Sequence, residues 1–192
     1  MVFQFKGATM KRPGWVVWIT GLPGSGKSVI ARALHRRLTD MNIDSEILSS
    51  DALRQVLTPK PSYSEKERDI VYATLAYIAE LLSRNGANVI IDSTGNLRKY
   101  RNLCRKHVDR FAEIYLDCPI EICVQREKAR RRRFLAPSQI YDKAYKGKSK
   151  TVPGMGARYE KPLSPEVTMD TNIVPPNESA GIIIAKLSDF LL

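Results

Sequence analysis

Short apolar runs alternate with amphipathic stretches along most of the chain. Trp15 to Thr20 is apolar, β-rich and stopped by Gly21, which predicts a strand. Lys27 to Leu38 carries Ile30, Ala31, Leu34 and Leu38 at helical spacing. Ser45 to Ser50 predicts a second short strand around Ile47 and Leu48. Ser64 and Glu67 have the spacing of a capping box, and a long helical pattern runs from them to Arg84, with Gly86 as its stop. Asn88 to Asp92 predicts a third strand, apolar enough to be buried on both faces. Leu97 to Asp109 reads as helix, Phe111 to Asp117 as a fourth strand, and Pro119 as a first-turn residue of the next helix. Phe134 to Arg158, with its Pro, Gly and Lys, predicts an irregular, mobile segment. Val167 to Asp170 reads as the last strand and Asn177 to Leu192 as a closing helix.

Strands alternating with helices predict an α/β fold, a mostly parallel five-stranded sheet with helices on both faces. The 192 residues suit one domain, 1–192. No apolar run approaches the length of a membrane-spanning helix, so no membrane partner is expected. Met1 to Arg12 lacks the apolar core of a secretory signal, and the expected location is cytoplasmic. Cys104, Cys118 and Cys123 form no CxxC pair and read as reduced thiols. His35 and His107 lack metal or nucleophile spacing, and Trp15 and Trp18 read as packing residues.

Charge changes the picture in one place. The formal net charge is +11, and Arg126 to Lys150 alone holds ten basic residues against Glu127 and Asp142. Such a segment points to a polyanion (a nucleic acid, a membrane surface or a phosphorylated small molecule) or to a solvated helix face.

The chemistry begins at Gly21-Leu22-Pro23-Gly24-Ser25-Gly26-Lys27-Ser28, which fits G-x-x-x-x-G-K-[ST] between a predicted strand and a predicted helix. In this pattern glycines let successive N–H groups turn towards phosphate oxygens, and the helix N-terminus adds a favourable partial charge. Lys27 then reaches the β- and γ-phosphates and the Ser28 hydroxyl ligates Mg²⁺, with Val29 continuing the ATP site. The bland alternative is a glycine-rich turn without a ligand. No N-K-x-D sequence marks a GTPase, and the chain is short for a helicase or transport ATPase. A small kinase needs an acceptor-side carboxylate, arginines near the transferred phosphoryl, and a lid.

Asp51 follows the second strand, where ligands gather in parallel sheets, and a carboxylate there orients or deprotonates an acceptor hydroxyl. Its competing role is to cap a helix. Arg54 shares its side if a helix begins there. Asp92 ends the third strand, before Ser93 and Thr94. Its candidate roles are a metal-bound water, a substrate contact, or a turn cap. The basic segment, 127–158, lies where small kinases carry a lid. Arg126, Arg130 to Arg133, Lys143 and Lys146 are its candidates for screening phosphate charge.

With these parts in place the chain resembles the adenylylsulfate kinase (APS kinase) family. The likeness rests on Trp18 to Ser28, on Asp51-x-x-Arg54 with Ser64-x-x-x-Arg68, and on Tyr115 to Cys123 with Arg126. It continues through Ile140 to Ala144 and Gly147 in the lid, and ends on Tyr159-Glu-Lys-Pro162, Pro165-Glu166 and Asp170-Thr171, the most specific part. The resemblance implies transfer of the γ-phosphate of MgATP to the 3′-hydroxyl of adenosine 5′-phosphosulfate, in sulfate assimilation. It implies Asp51 as the acceptor-side carboxylate, Arg54 and Arg68 on the sulfonucleotide, and Lys143 in the lid near the phosphates. Lys27 is the second catalytic candidate, and Asp92 and Thr94 are further substrate-side candidates that the family pattern does not supply. A homodimer is an assembly that it also suggests.

The departures cluster on the acceptor side. Ser49-Ser50-Asp51 stands for Asp-Gly-Asp, Val71 for an Asn, Thr94-Gly95-Asn96 for Ile-Ser-Pro, and Val152-Pro153-Gly154 for Phe-Thr-Gly. A second reading is therefore a kinase of this family acting on another small hydroxylated acceptor (a sugar, polyol or nucleotide-like molecule). A third, from another class, is an RNA-directed kinase or RNA-binding protein using Arg130 to Arg133, although it lacks interleaved aromatic residues.

Overall fold

In the computed structural model, which describes residues 12–130, 137 and 139–192, the strand that enters the glycine-rich loop is the central one. The elements in chain order are β1 (Val16–Gly21), α1 (Lys27–Asp40), β2 (Glu46–Ser49), α2 (Ser50–Leu57), α3 (Glu65–Arg84), β3 (Val89–Asp92) and α4 (Arg98–His107). They continue as β4 (Phe111–Asp117), α5 (Ile120–Ala129), α6 (Ile140–Tyr145), β5 (Val167–Asp170), α7 (Pro176–Lys186) and α8 (Ser188–Leu191). The strands pair in parallel in the order β2-β3-β1-β4-β5.

Period-two alternation in β1 divides the core. Val17 and Ile19 face Ile30, Leu34 and Leu38 of α1 and Ala180 and Ile183 of α7. Val16 and Trp18 face Tyr72, Leu75, Ala76 and Ala79 of α3 and Tyr100 and Cys104 of α4. Both tryptophans are buried and both indole N–H groups find carbonyls, Leu191 O at 3.2 Å for Trp15 and Ser93 O at 3.0 Å for Trp18. The first strand, the long helix and the fourth and last strands therefore lie where the pattern predicts them.

Several local expectations change. Asn88 sits just outside β3: its amide accepts from Trp15 N at 3.2 Å and donates to Asp44 O at 2.8 Å, pinning two chain segments. Pro119 is the residue before α5 rather than its first turn. The closing helix breaks at Leu187, whose side chain turns into the core, and α8 follows as a separate turn. The segment read as irregular contains α6, which packs with Val152 onto Cys118, Cys123 and Val124 in a small core of its own. Arg131 to Phe134, and the start of the chain through Lys11, lie outside the described residues. Among the described residues no helix is long and apolar enough to cross a membrane.

A strap from Tyr159 to Glu166 crosses the sheet edge and explains the specific tail pattern. Arg101, buried, pairs with Glu113 and donates to Gly95 O and, at 2.7 Å, to Glu160 O. Glu160 accepts from the N–H of Arg98 at the start of α4, 2.9 Å. Glu166 takes both Nη atoms of Arg105 at 2.7 and 2.8 Å and the N–H of Glu113 at 2.6 Å. Tyr159 places its hydroxyl 3.1 Å from Thr20 Oγ1.

Candidate active site

The glycine-rich loop turns because two residues adopt left-handed backbone angles, Gly24 at φ 86° and Gly26 at φ 101°. At Gly24 space is also closed, since a Cβ would lie 2.4 Å from Cys123 O. Gly24→Ala is expected to loosen ATP binding about tenfold and to lower the melting temperature, measured by calorimetry and thermal unfolding. At Gly26 a Cβ would meet only Ile30 Cδ1, at 3.9 Å, so that side of the loop is open. No side chain caps α1, which leaves its first N–H groups for an anion. Ser25 Oγ is buried without a partner. An open cradle with orphaned donors is what a polyphosphate chain fits.

Lys27 Nζ folds back onto Gly21 O at 3.1 Å and Leu22 O at 3.0 Å. Gly21 and Leu22 thus hold the lysine and do not line the cleft; Pro23 to Val29 do. Burial pushes the Lys27 ammonium down from its ordinary range, and the charges of Asp92 and Asp51 oppose that shift.

The opposite wall comes from the ends of β2 and β3. Ser49 and Asp92 are register partners, so the carboxyl ends of the two strands meet side by side. Ser49 caps α2, its hydroxyl accepting from Ala52 N at 3.5 Å. Asp51 lies one residue inside the helix and is not its cap, so the capping alternative for Asp51 fails. Burial, and then the charge of Asp92, push the Asp51 carboxyl above the usual range; Lys27 and Arg54 pull it the other way.

Arg54 is buried, pairs with Glu67 and stands 4.9 Å over the ring of Tyr63. The capping box at α3 is half formed. Ser64 Oγ accepts from Glu67 N at 3.3 Å, but the Glu67 carboxylate turns away to Ser62 N at 2.6 Å, Tyr63 N at 3.2 Å and Arg54. This grip holds Tyr63 at φ 55°, with its ring on the cleft. Arg68 is buried, and each of its three nitrogens makes an internal bond: to Tyr63 O (3.0 Å), Asn96 Oδ1 (2.8 Å) and Thr151 O (2.6 Å). Five N–H donors leave two for a ligand.

Of the remaining candidates, Asp92, Thr94, Arg126, Arg130 and Lys143 line the same cleft, of about 640 Å³, with Asp51, Arg54 and Arg68, whereas Lys146 is exposed and does not line it. Thr94 O is fixed by Thr20 Oγ1 at 2.6 Å. Arg126 donates to Thr171 O at 2.6 Å. Tyr141 OH reaches Pro23 O at 2.7 Å, which seats α6 on the loop. Val71, by contrast, is buried and does not line the cleft. Sequence reasoning missed Tyr63 and Tyr72, which line the cleft beside Arg54 and Arg68, and Asn172 to Pro176, which line it beyond Thr171. Tyr63 was recognisable only as the residue before the Ser64 cap. Asn172 to Pro176 follow directly on the Asp170-Thr171 signature.

A sequence model of the adenylylsulphate kinase family matches residues 13–170. A probable adenylyl-sulfate kinase of Pyrococcus abyssi is 32% identical over 176 residues, 92% of this chain and 96% of that protein. One from Archaeoglobus fulgidus is 35% identical over 158 residues, 82% of this chain and 96% of its own length. Among solved structures, the Mycobacterium tuberculosis APS kinase CysC in complex with AMPPNP and APS superposes with a TM-score of 0.80 at 29% identity, covering 92% of this chain and 98% of that one.

Proposed function

The chain belongs to the adenylylsulphate kinase family, and we propose on that premise that it moves the γ-phosphoryl group of ATP to the 3′-hydroxyl of adenosine 5′-phosphosulfate. The observation that carries this reading is one cleft that sets a phosphate cradle against a half-buried carboxylate, Asp51, and two buried arginines, Arg54 and Arg68.

Each residue has a role in that reaction. Loop N–H groups from Gly24 to Ser28 hold the β-phosphate. Lys27 leaves its loop carbonyls for the β- and γ-phosphates and neutralises charge that grows during transfer. Asp51 accepts the proton of the acceptor hydroxyl as the oxygen–phosphorus bond forms and the bond to the β-phosphate oxygen breaks, releasing ADP. Arg54 and the two spare donors of Arg68 face the anionic acceptor, and Tyr63 offers its ring to the acceptor's base. Arg126, Arg130 and Lys143 screen the phosphates from the lid side. Ser28, which lines the cleft with Asp92, would hold Mg²⁺ through its hydroxyl, and the ion would supply neutralisation of the phosphate charge.

An ADP-release assay with MgATP tests the acceptor class. Adenosine 5′-phosphosulfate is expected to exceed every sugar, polyol, nucleoside and tRNA in a panel by about a hundredfold or more in kcat/KM. A sugar or polyol at the head of the panel would move the chain to another acceptor.

A further inference from the structure

Asn96 is buried near the end of the β3–α4 connection, outside the cleft lining, yet it bonds three ways. Its Oδ1 accepts from Arg68 Nη1 at 2.8 Å, and its Nδ2 donates to Arg158 O at 2.8 Å. Its main-chain oxygen accepts from Glu160 N at 2.7 Å. The amide therefore joins α3 to the strap that returns from the lid. Arg68, held on one side by Asn96, reaches Tyr63 O and Thr151 O on the others. Tyr63 is the acceptor-side ring with the left-handed backbone, and Thr151 lies in the lid segment that lines the cleft. One guanidinium thus spans the acceptor wall and the lid.

We infer that Asn96 is a positioning residue for the acceptor half of the site: its amide fixes the Arg68 guanidinium, which in turn sets Tyr63 and ties down the lid at Thr151. The inference rests on the kinase reading above. It also gives a physical account of one departure from the family pattern. That pattern carries a proline at position 96, and a proline has no side-chain amide to offer. A guanidinium that loses one of three fixed acceptors keeps its charge but not its direction, and a buried bond to a charged group is among the stronger ones. Among the described residues no hydrogen bond of Arg68 or of the Asn96 amide reaches the phosphate loop, so the larger effect is expected on the acceptor rather than on ATP.

Two substitutions separate positioning from simple stability. Asn96→Ala removes both side-chain bonds. Asn96→Asp keeps an acceptor for Arg68 but sets a carboxylate oxygen against Arg158 O in place of the donation. With adenosine 5′-phosphosulfate and MgATP, Asn96→Ala is expected to raise the acceptor KM about tenfold or more while the ATP KM stays within about twofold. Asn96→Asp is expected to stay within about threefold of the wild type in acceptor KM, even where its melting temperature falls. A second readout needs no acceptor: tryptic cleavage after Lys150 in protein saturated with AMPPNP, followed by mass spectrometry. Lys150 is exposed and precedes Thr151, so cleavage there is expected to quicken several-fold in Asn96→Ala and to match the wild type in Asn96→Asp. Unchanged acceptor KM and cleavage in Asn96→Ala would overturn the inference, as would equal losses in both variants or a matching rise in ATP KM. If the wild type fails to use the sulfonucleotide, the kinase reading of the acceptor fails, and the cleavage comparison still decides whether Asn96 holds the lid through Arg68.

Discussion

Asp51→Asn is expected to lower kcat about a thousandfold while the dissociation constant for ATP stays within about threefold. The two side chains are nearly isosteric, and Ser49 rather than Asp51 caps α2, so the helix start survives. On the proposed mechanism, what is lost is the carboxylate that would take the acceptor's proton. Its pH dependence has a definite sign. Burial and Asp92 raise the Asp51 carboxyl, and only the ionised form accepts a proton, so kcat falls as pH drops through that raised value. The acid limb lies above the ordinary aspartate value of about 4 and vanishes in the asparagine variant. Stability runs the other way. A carboxyl raised in the folded state binds its proton more tightly there than in the unfolded chain. Its contribution is therefore complete below the unfolded value and lost as pH rises through the folded one. Asp51→Asn is accordingly expected to melt higher than the wild type at neutral pH. A variant that loses activity and gains stability marks a site where charge is held for function. Equal turnover in Asp51→Asn would remove Asp51 from the chemistry.

Lys27→Ala is expected to reduce turnover to background in the same assay, a loss of about a thousandfold or more, with an intact fold by circular dichroism. The reason lies in how the ammonium is stored. It is partly buried at the cleft wall, and it rests on two loop carbonyls at 3.0 and 3.1 Å that ATP phosphates would replace. Burying that charge costs stability, so its removal is not expected to lower the melting temperature. ATP binding is expected to weaken by about tenfold, much less than turnover, because the charge that Lys27 meets grows towards the transition state. Wild-type turnover in Lys27→Ala would break the assignment of the loop.

The same elements explain what could be read from sequence. Gly24 and Gly26 announce the loop because no other residue type takes their backbone angles freely, and β1 announces itself by alternation in the core. Asp51 and Asp92 were legible because parallel strands end together, as the Ser49–Asp92 register records. Long-range pairings were not legible. Glu67 has the spacing to complete a capping box, yet its carboxylate turns to Arg54 and the Ser62–Tyr63 backbone. Arg68 reads as a ligand from its motif, while three of its bonds go to the protein itself. Arg101 carries no signal at all in sequence, although it ties α4 to β4 and the strap. The tail from Tyr159 to Glu166 is the opposite case. Its residues are family-specific because Tyr159, Glu160 and Glu166 must each meet a fixed partner across the sheet edge. Within the lid, α6 was hidden by its length of six residues, too short for a periodic pattern, and it is held by Tyr141 on Pro23 O.

The most direct measurement is the structure of the product. Purified protein with MgATP and adenosine 5′-phosphosulfate would be followed by mass spectrometry, and the product's phosphorylation site read by phosphorus NMR. A gain of one phosphoryl group, placed on the 3′-oxygen and matched by one ADP released, is the predicted result. An unmodified sulfonucleotide, from protein that still binds ATP, would contradict the account.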